Sequence, residues 1–545
     1  MRKNKLFVYL SVFAISMMVV LSGCGGGNST STTPAGTVTG TIVDNNDGTA
    51  IEAATVTVGT ATTTTSADGT FTLASVPAGS GKVVNVSKAG FALGSKVVTV
   101  TNGASTRIDM SLLPVAFTTT FDPTVAQTLT ANAAGSAQVV LGANSLVLGS
   151  GAAPTGNVTV SITPVDPTSN PQIMPGNFSA SVGTGAAATD GIIESFGAME
   201  VVFTDSAGAP LNLASGQSAT IRIPLAAGAI SPPATMPAYF YNSVTGRWVE
   251  EGTLTLEGTA PNQYYTGTVT HFSYWNADMP LITTCITGKV VNDAGAPVAG
   301  ARVEAQGSNY TGTSEAYTAA DGTFTILVKA NSIVFVHAST SSALSQSFTV
   351  ATGAAGGACT PLPGDLVLGA TIGSAQITLT WGLNPSDLDS HLTGPDPSVS
   401  DTARFHMYYS NRGSLTAAPF AFLDFDDTNS FGPEVTTITR FSPGVYRYSV
   451  HHFSGSGTIF SSPARVELVL NGATHIFTPP DPGTTPIGDD TVWQVFEISV
   501  SSTGASTVTP LNTYLLNVSD SAVSVVQAEP QPLSDRLIYS NLPEK

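Results

Sequence analysis

Charge is scarce in this sequence. Asp, Glu, Lys and Arg make up 10% of its 545 residues, and 19 basic residues stand against 37 acidic ones, for a formal net charge of -18. Apart from Arg2, Lys3 and Lys5 the basic residues are scattered singly, so there is no electrostatic footprint for a phosphate backbone, and nucleic acid is set aside as a partner. Histidine is scarce at 7, with no His-Glu-x-x-His or comparable ligand spacing, which removes the common zinc peptidases. A Gly-x-Ser-x-Gly elbow and a Gly-x-x-x-x-Gly-Lys phosphate loop are both missing, and no long amphipathic helix stands out. An Asp pair such as Asp387 with Asp426 would suit glycoside hydrolysis in principle, but such pairs are common and no aromatic-lined cleft can be inferred. The expectation is therefore a protein that is not a conventional enzyme.

What is abundant points to strands. Gly 54 and Pro 34, with frequent Thr, Val, Ala and Ser in alternating runs, favour short strands joined by turns, hence an all-β fold. The length exceeds what one hydrophobic core serves, and implies roughly three to five domains.

The start of the chain bears on location. Arg2, Lys3 and Lys5 precede an apolar run, Leu6 to Leu21, shorter than the roughly 20 residues a membrane span needs, and Leu21-Ser22-Gly23-Cys24 closes it. This resembles a bacterial lipoprotein signal with its lipobox. The resemblance implies a signal peptide over 1–23, cleavage before Cys24 and lipidation of Cys24, so that the chain is held to a membrane through a lipid anchor in the cell envelope. With Gly25 rather than Asp next to Cys24, the outer membrane is implied for a Gram-negative cell, and otherwise the outer face of the cell membrane. Residues 24–36, rich in Gly, Ser and Thr, read as a flexible spacer. Cys285 and Cys359 remain, in a setting that permits a disulfide; two buried thiols are the alternative.

Two stretches share one grammar. VTGTIVDNNDGTAIEAATVTV and SADGTFTLASVPAG (38–58 and 66–79) return as ITGKVVNDAGAPVAGARVEA and AADGTFTILV (286–305 and 319–328). Asp68-Gly69 and Asp321-Gly322 read as hairpin corners, with Phe71 and Phe324 pointing inward from the next strand. Both copies resemble the carboxypeptidase regulatory-like domain, a seven-stranded transthyretin-like sandwich, over 37–115 and 282–370. Between them, 116–281 closes on HFSYWN (271–276) and resembles a ZU-type β-module, which implies a structural or docking unit. SDLDSHL (386–392) and LDFDDTNSFGPE (423–434) resemble the YfaP-like family of exported domains, assigned to 371–502, with 503–545 a terminal strand near Tyr514 to Val518 and a tail. The whole reads as serial β-sandwich modules, transthyretin- and immunoglobulin-like, behind a lipoprotein signal and spacer.

Two clusters carry candidate chemistry. In SDLDSHL, alternation puts Asp387, Asp389 and His391 on one strand face and both leucines on the other; in LDFDD, Asp424 and Asp426 are expected to share a face. So many acids require water or a cation between them. Two readings stay open: a divalent cation held by Asp387, Asp389, Asp424, Asp426 and Glu434, or a hydrogen-bonded corner. Ca²⁺ suits the oxygens, whereas Zn²⁺ would draw on His391, His406, His451 and His452 with Asp387. The stretch is not an EF-hand: counted from Asp424, Asn429 stands where Gly belongs and Val435 where the bidentate Glu belongs.

His271-Phe272-Ser273 is the second cluster. In some ZU-type modules such a triplet cleaves itself before the serine, which implies Ser273 as nucleophile and His271 as base; the same letters also fit a closing core strand. The expected function is a non-catalytic, membrane-anchored surface scaffold or binder, with a Ca²⁺-stabilised C-terminal domain. Its ligand is expected to be a glycan or an envelope protein, and exposed rings among Tyr408, Tyr409, Tyr446 and Tyr448 are candidates for stacking on sugar.

Overall fold

The computed structural model describes residues 34–518, apart from residues 47, 133–134, 169–170, 230, 293, 308, 341–342, 344, 346, 369–374, 397, 399–402, 415–416, 424–425, 429–431, 463, 471–472 and 502–503. The expected signal peptide, Cys24 and most of the expected spacer lie outside the described residues, as does most of the expected tail. The fold is all-β, and among the described residues no helix is long and apolar enough to cross a membrane.

The first module faces one four-stranded sheet against another. Ala35–Asp44 is the central strand of one, flanked by Thr70–Pro77 and, in parallel, by Ser105–Arg107 and Met110–Leu112. The other runs Ala61–Thr64, Thr55–Val58, Gly79–Ser87, Gly94–Val100. Alternation does the sorting: in Ala35–Asp44, Val38 and Ile42 drop into a core shared with Val56, Phe71, Val84 and Val98.

The third module repeats this plan strand for strand. Thr283–Asn292 is flanked by Thr323–Lys329 and, in parallel, by Thr360–Pro361 and Leu366–Leu368, over a sheet ordered Thr313–Tyr317, Arg302–Gly307, Ile333–Ser339, Phe348–Ala351. Cys285 and Cys359 are bonded, as the disulfide expectation had it. The Asp-Gly corners match as well. Asp68 Oδ1 accepts from Thr70 N–H at 3.1 Å and Thr70 Oγ1 at 2.7 Å; Asp321 Oδ1 accepts from Thr323 N–H at 3.1 Å and Thr323 Oγ1 at 2.6 Å. Phe71 and Phe324 both enter the cores from the following strand.

Between them, residues 117–280 form a 13-stranded sheet that folds over on itself around Phe203, Ile221, Tyr265 and Trp275. The fourth module pairs a six-stranded with a five-stranded sheet. The six run Gly413–Ser414, Ala421–Leu423, Glu434–Ile438, Ala375–Thr380, Arg465–Leu470, Ala473–Phe477, and the five run Arg404–Met407, Asp387–Pro395, Gly444–Ser454, Val492–Val500, Ser506–Leu515. The terminal strand expected near Tyr514 thus begins at Ser506 and is the edge strand of this sheet, paired with Val492–Val500.

The modules are not a loose string. Tyr274 OH donates to Leu93 O at 3.0 Å, and Ala92, Tyr241, Trp248 and Tyr274 share one apolar cluster across the first and second modules. Lys329 Nζ meets Glu194 Oε2 at 2.6 Å between the third and second. Thr478 Oγ1 donates to Asn46 O at 3.2 Å between the fourth and first.

Candidate metal centre

Asp387–Pro395 is the strand that builds the site. Leu388 and Leu392 join the module core, and Ser390 Oγ lies 2.6 Å from Tyr448 OH, so the alternate residues Asp387, Asp389 and His391 take the opposite face. That face is not solvated: Asp389 is 0% exposed, Asp387 3% and His391 2%. Antiparallel register sets Asp389 opposite His451 on one neighbouring strand, and Thr393 opposite His406 on the other.

Two groups of donors result. One candidate ligand oxygen each from Asp387, Asp389 and Asp426 lie within 4.8 Å of one another, and so do one ligand atom each from Asp389, His391 and His451. Asp389 belongs to both. Asp426 lies outside any strand, not on a strand face as expected; Asp424 lies outside the described residues.

Glu434 stands beside the acids and holds their scaffold together. Its Oε2 accepts from Ser390 N–H at 2.7 Å and its Oε1 from Asp427 N–H at 3.3 Å, tying the Asp426 loop to the Asp387–Pro395 strand. Burial, then the charges of Asp389 and Asp426, push the Glu434 carboxyl well above the usual range. Glu434 is in neither donor group. Its two bonds tie the loop to the strand.

The histidines have outer partners of their own. His451 Nε2 lies 3.0 Å from Val518 O, and His391 Nδ1 lies 3.0 Å from His406 Nε2. Burial lowers the His406 imidazole to about 3 and keeps it neutral. Tyr408 stacks on His406 with ring centroids 4.5 Å apart and on His391 at 5.8 Å. His452 sits apart: paired with Leu388, it has Nε2 3.0 Å from Gly455 O and 3.3 Å from Asp489 Oδ1.

Burial withdraws three of the four rings expected to be available for stacking on sugar. Tyr408, Tyr446 and Tyr448 are buried, Tyr446 and Tyr448 in the module core, and only Tyr409 is half-exposed. The alternation rule assigned half of such a strand to the interior, and here both faces of the sheet are covered.

At the HFSYWN stretch, His271 Nε2 lies 3.6 Å from Glu251 Oε2, and the imidazole is edge-on to Phe240 at 4.5 Å. Asn212 grips the Phe272 peptide from both sides: Phe272 N–H donates to Asn212 Oδ1 at 2.7 Å, and Asn212 Nδ2 donates to Phe272 O at 3.2 Å. Ser273 Oγ donates to Tyr274 O at 3.0 Å. Phe272 and Trp275 are buried in the second module's core, as a closing strand requires. Nothing in the sequence near the triplet pointed to Asn212, which lies on a distant strand.

Residues 37–113 match the family described as carboxypeptidase regulatory-like domain. Comparison with curated proteins finds no match. Among solved structures, the chain is similar to the unknown function protein SAV2460, at 16% identity over 26% of this chain and 91% of that one, TM-score 0.20. It is also similar to a homologue of telluride resistance protein (TerD), SCO6318 from Streptomyces coelicolor A3(2), at 16% identity over 26% and 88%, TM-score 0.19. A third is a protein from Bacteroides uniformis ATCC 8492 provisionally described as carbohydrate binding, at 11% identity over 44% and 99%, TM-score 0.13. Identities and TM-scores this low assign no function.

Proposed function

We propose that the chain is a non-catalytic surface lipoprotein, a multi-module scaffold for an envelope component, whose fourth module is stabilised by a Ca²⁺ ion. The observation that carries the calcium reading is the convergence of Asp387, Asp389 and Asp426 within 4.8 Å in a buried setting. Like charges so close in a low dielectric repel strongly, and a hard dication ligated by carboxylate oxygens removes that cost. Anchoring rests on Leu21-Ser22-Gly23-Cys24 alone, and the scaffold role on four mutually packed modules. Of the four tyrosines offered for stacking on sugar, Tyr408, Tyr446 and Tyr448 are buried, so the fourth module lends a sugar ligand little support.

Calorimetry of the full chain tests the ion. Ca²⁺ at about 100 times its dissociation constant is expected to stabilise the fourth module by about 3 kcal/mol, and Asp389→Asn with Asp426→Asn to abolish the shift. Identical melts with Ca²⁺ and with a chelator would overturn the reading.

Asn212 favours a second reading, self-cleavage between Phe272 and Ser273. Its Nδ2 polarises the carbonyl that Ser273 Oγ would attack, and Glu251 orients the base His271. The Phe272–Ser273 C–N bond would break with the proton passing through His271 to the new amine, and water would then hydrolyse the ester. The hydroxyl must first leave Tyr274 O, so scaffold is the leading reading. Two bands of nearly equal mass on a denaturing gel, merged to one by Ser273→Ala, are required for cleavage; a single band in the parent chain rejects it.

A further inference from the structure

We infer that the fourth module holds a second metal centre beside the oxygen site, in which Asp389, His391 and His451 seat a borderline transition dication of the Zn²⁺ class and Asp389 is shared between the two. This centre does not depend on the calcium reading, although it borrows one of its carboxylates.

Register places the donors. Asp389 and His451 face each other across an antiparallel pair, and His391 is two residues further along the same strand, hence on the same face. All three are nearly or wholly excluded from solvent, and one ligand atom from each lies within 4.8 Å of the others. His391 and His451 meet with ring centroids 5.8 Å apart and planes at 89°, so the rings approach edge to face.

The outer partners of the imidazoles supply the independent observation. A backbone carbonyl only accepts, so His451 must carry its proton on Nε2 to donate to Val518 O at 3.0 Å, which makes Nδ1 the nitrogen with a lone pair. His391 Nδ1 lies 3.0 Å from His406 Nε2; with His391 as donor, Nε2 is its lone-pair nitrogen. This is the arrangement in which a metal-binding histidine gives its other N–H to an outer acceptor, fixing tautomer and ring angle. Tyr408, stacked against both His391 and His406, holds the rings in place.

Donor chemistry selects the ion. Two imidazole nitrogens and a carboxylate suit Zn²⁺, with a fourth position left for water or another ligand, and suit Ca²⁺ poorly. The neighbouring group Asp387, Asp389 and Asp426 is all oxygen and has the opposite preference. Two adjacent seats of different hardness thus sort two ions. Sequence alone offered His391, His406, His451 and His452 with Asp387; the fold keeps His391 and His451, exchanges Asp387 for Asp389, makes His406 an outer partner and sends His452 elsewhere.

The test uses the full chain, without a polyhistidine tag and stripped of metal, with Zn²⁺ followed by titration calorimetry and Co²⁺ as its visible stand-in. One equivalent of Co²⁺ with strong low-symmetry absorption bands, displaced by Zn²⁺, is expected in the presence of saturating Ca²⁺. His391→Gln and His451→Gln should each abolish the bands while leaving any Ca²⁺-induced rise in Tm unchanged. His406→Phe, which removes only the outer partner, should weaken Zn²⁺ by about 10-fold. Asp387→Asn and Asp426→Asn should spare the Co²⁺ spectrum, which separates this centre from the oxygen site. Circular dichroism confirms that each variant is folded. The proposal is overturned if the parent chain shows no such Co²⁺ bands, if the bands survive in folded His391→Gln and His451→Gln, or if Ca²⁺ and Zn²⁺ compete for one equivalent in total.

Discussion

Glu200 shows what a single buried carboxylate does to this protein. It lies between the first two modules, where Leu93 N–H donates to its two oxygens at 3.2 and 3.3 Å. Burial outweighs that bond and lifts the carboxyl to about 7. A raised pKa means that the folded chain holds the proton more tightly than the unfolded one. Its contribution is fully present below about 4.5, fades as pH climbs, and is gone once pH passes about 7. Glu200→Gln, neutral throughout, is therefore expected to be more stable than the parent at pH 8 by up to about 3 kcal/mol, and equal to it at pH 4. Melting curves across that range check both ends; a gap that widens toward low pH refutes it. At this scale the sequence offered Asp387, Asp389 and His391 on one face because period two needs only local geometry. It was silent on Glu200, whose environment comes from another module.

At the scale of elements, the repeated Asp-Gly corner is the sharpest device. Gly69 has φ +75° and Gly322 φ +77°, and a Cβ at either would lie 2.5 Å from a carbonyl of the neighbouring strand, Ile42 O or Val290 O. Gly69→Ala and Gly322→Ala are each expected to destabilise their own module by about 1–3 kcal/mol. Limited proteolysis, read module by module, measures this; a large loss at one corner and none at the other would break the equivalence of the repeats. The corners were legible because Asp-Gly followed by an alternating strand is a local signal. The extent of LDFDD was not. Its Leu423 pairs with Thr436, whereas Asp426 lies outside any strand, and the next residue, Asp427, donates its N–H to Glu434 Oε1.

Across the whole molecule, the four modules lock through polar contacts that chain order does not announce. Thr99 N–H donates to Tyr317 OH at 3.2 Å, and Gln376 Nε2 to Ser347 Oγ at 2.8 Å. A cavity of about 180 Å³ is lined by residues of all four modules, including Arg107, Gln172, Glu304 and Arg465. Lys329→Ala removes the ion pair to Glu194 and the amine over the Tyr310 ring, 5.1 Å from its centroid. It should weaken the junction of the second and third modules by about 1 kcal/mol, since both partners of the pair are partly shielded from water. Calorimetry is expected to show the transitions of the second and third modules moving further apart than in the parent; an unchanged profile would mean that this contact couples nothing.

By itself the sequence determined the all-β class, the duplicated sandwich with its corner glycines, and the polar face of the Asp387–Pro395 strand, because each depends on residues within a few positions of one another. The tertiary structure alone decided that this face is buried, that His451 and Val518 come to meet it, that Asp426 arrives from a loop, and that the modules share walls. Those outcomes are fixed by register and packing between segments far apart in the chain, where no local period reaches.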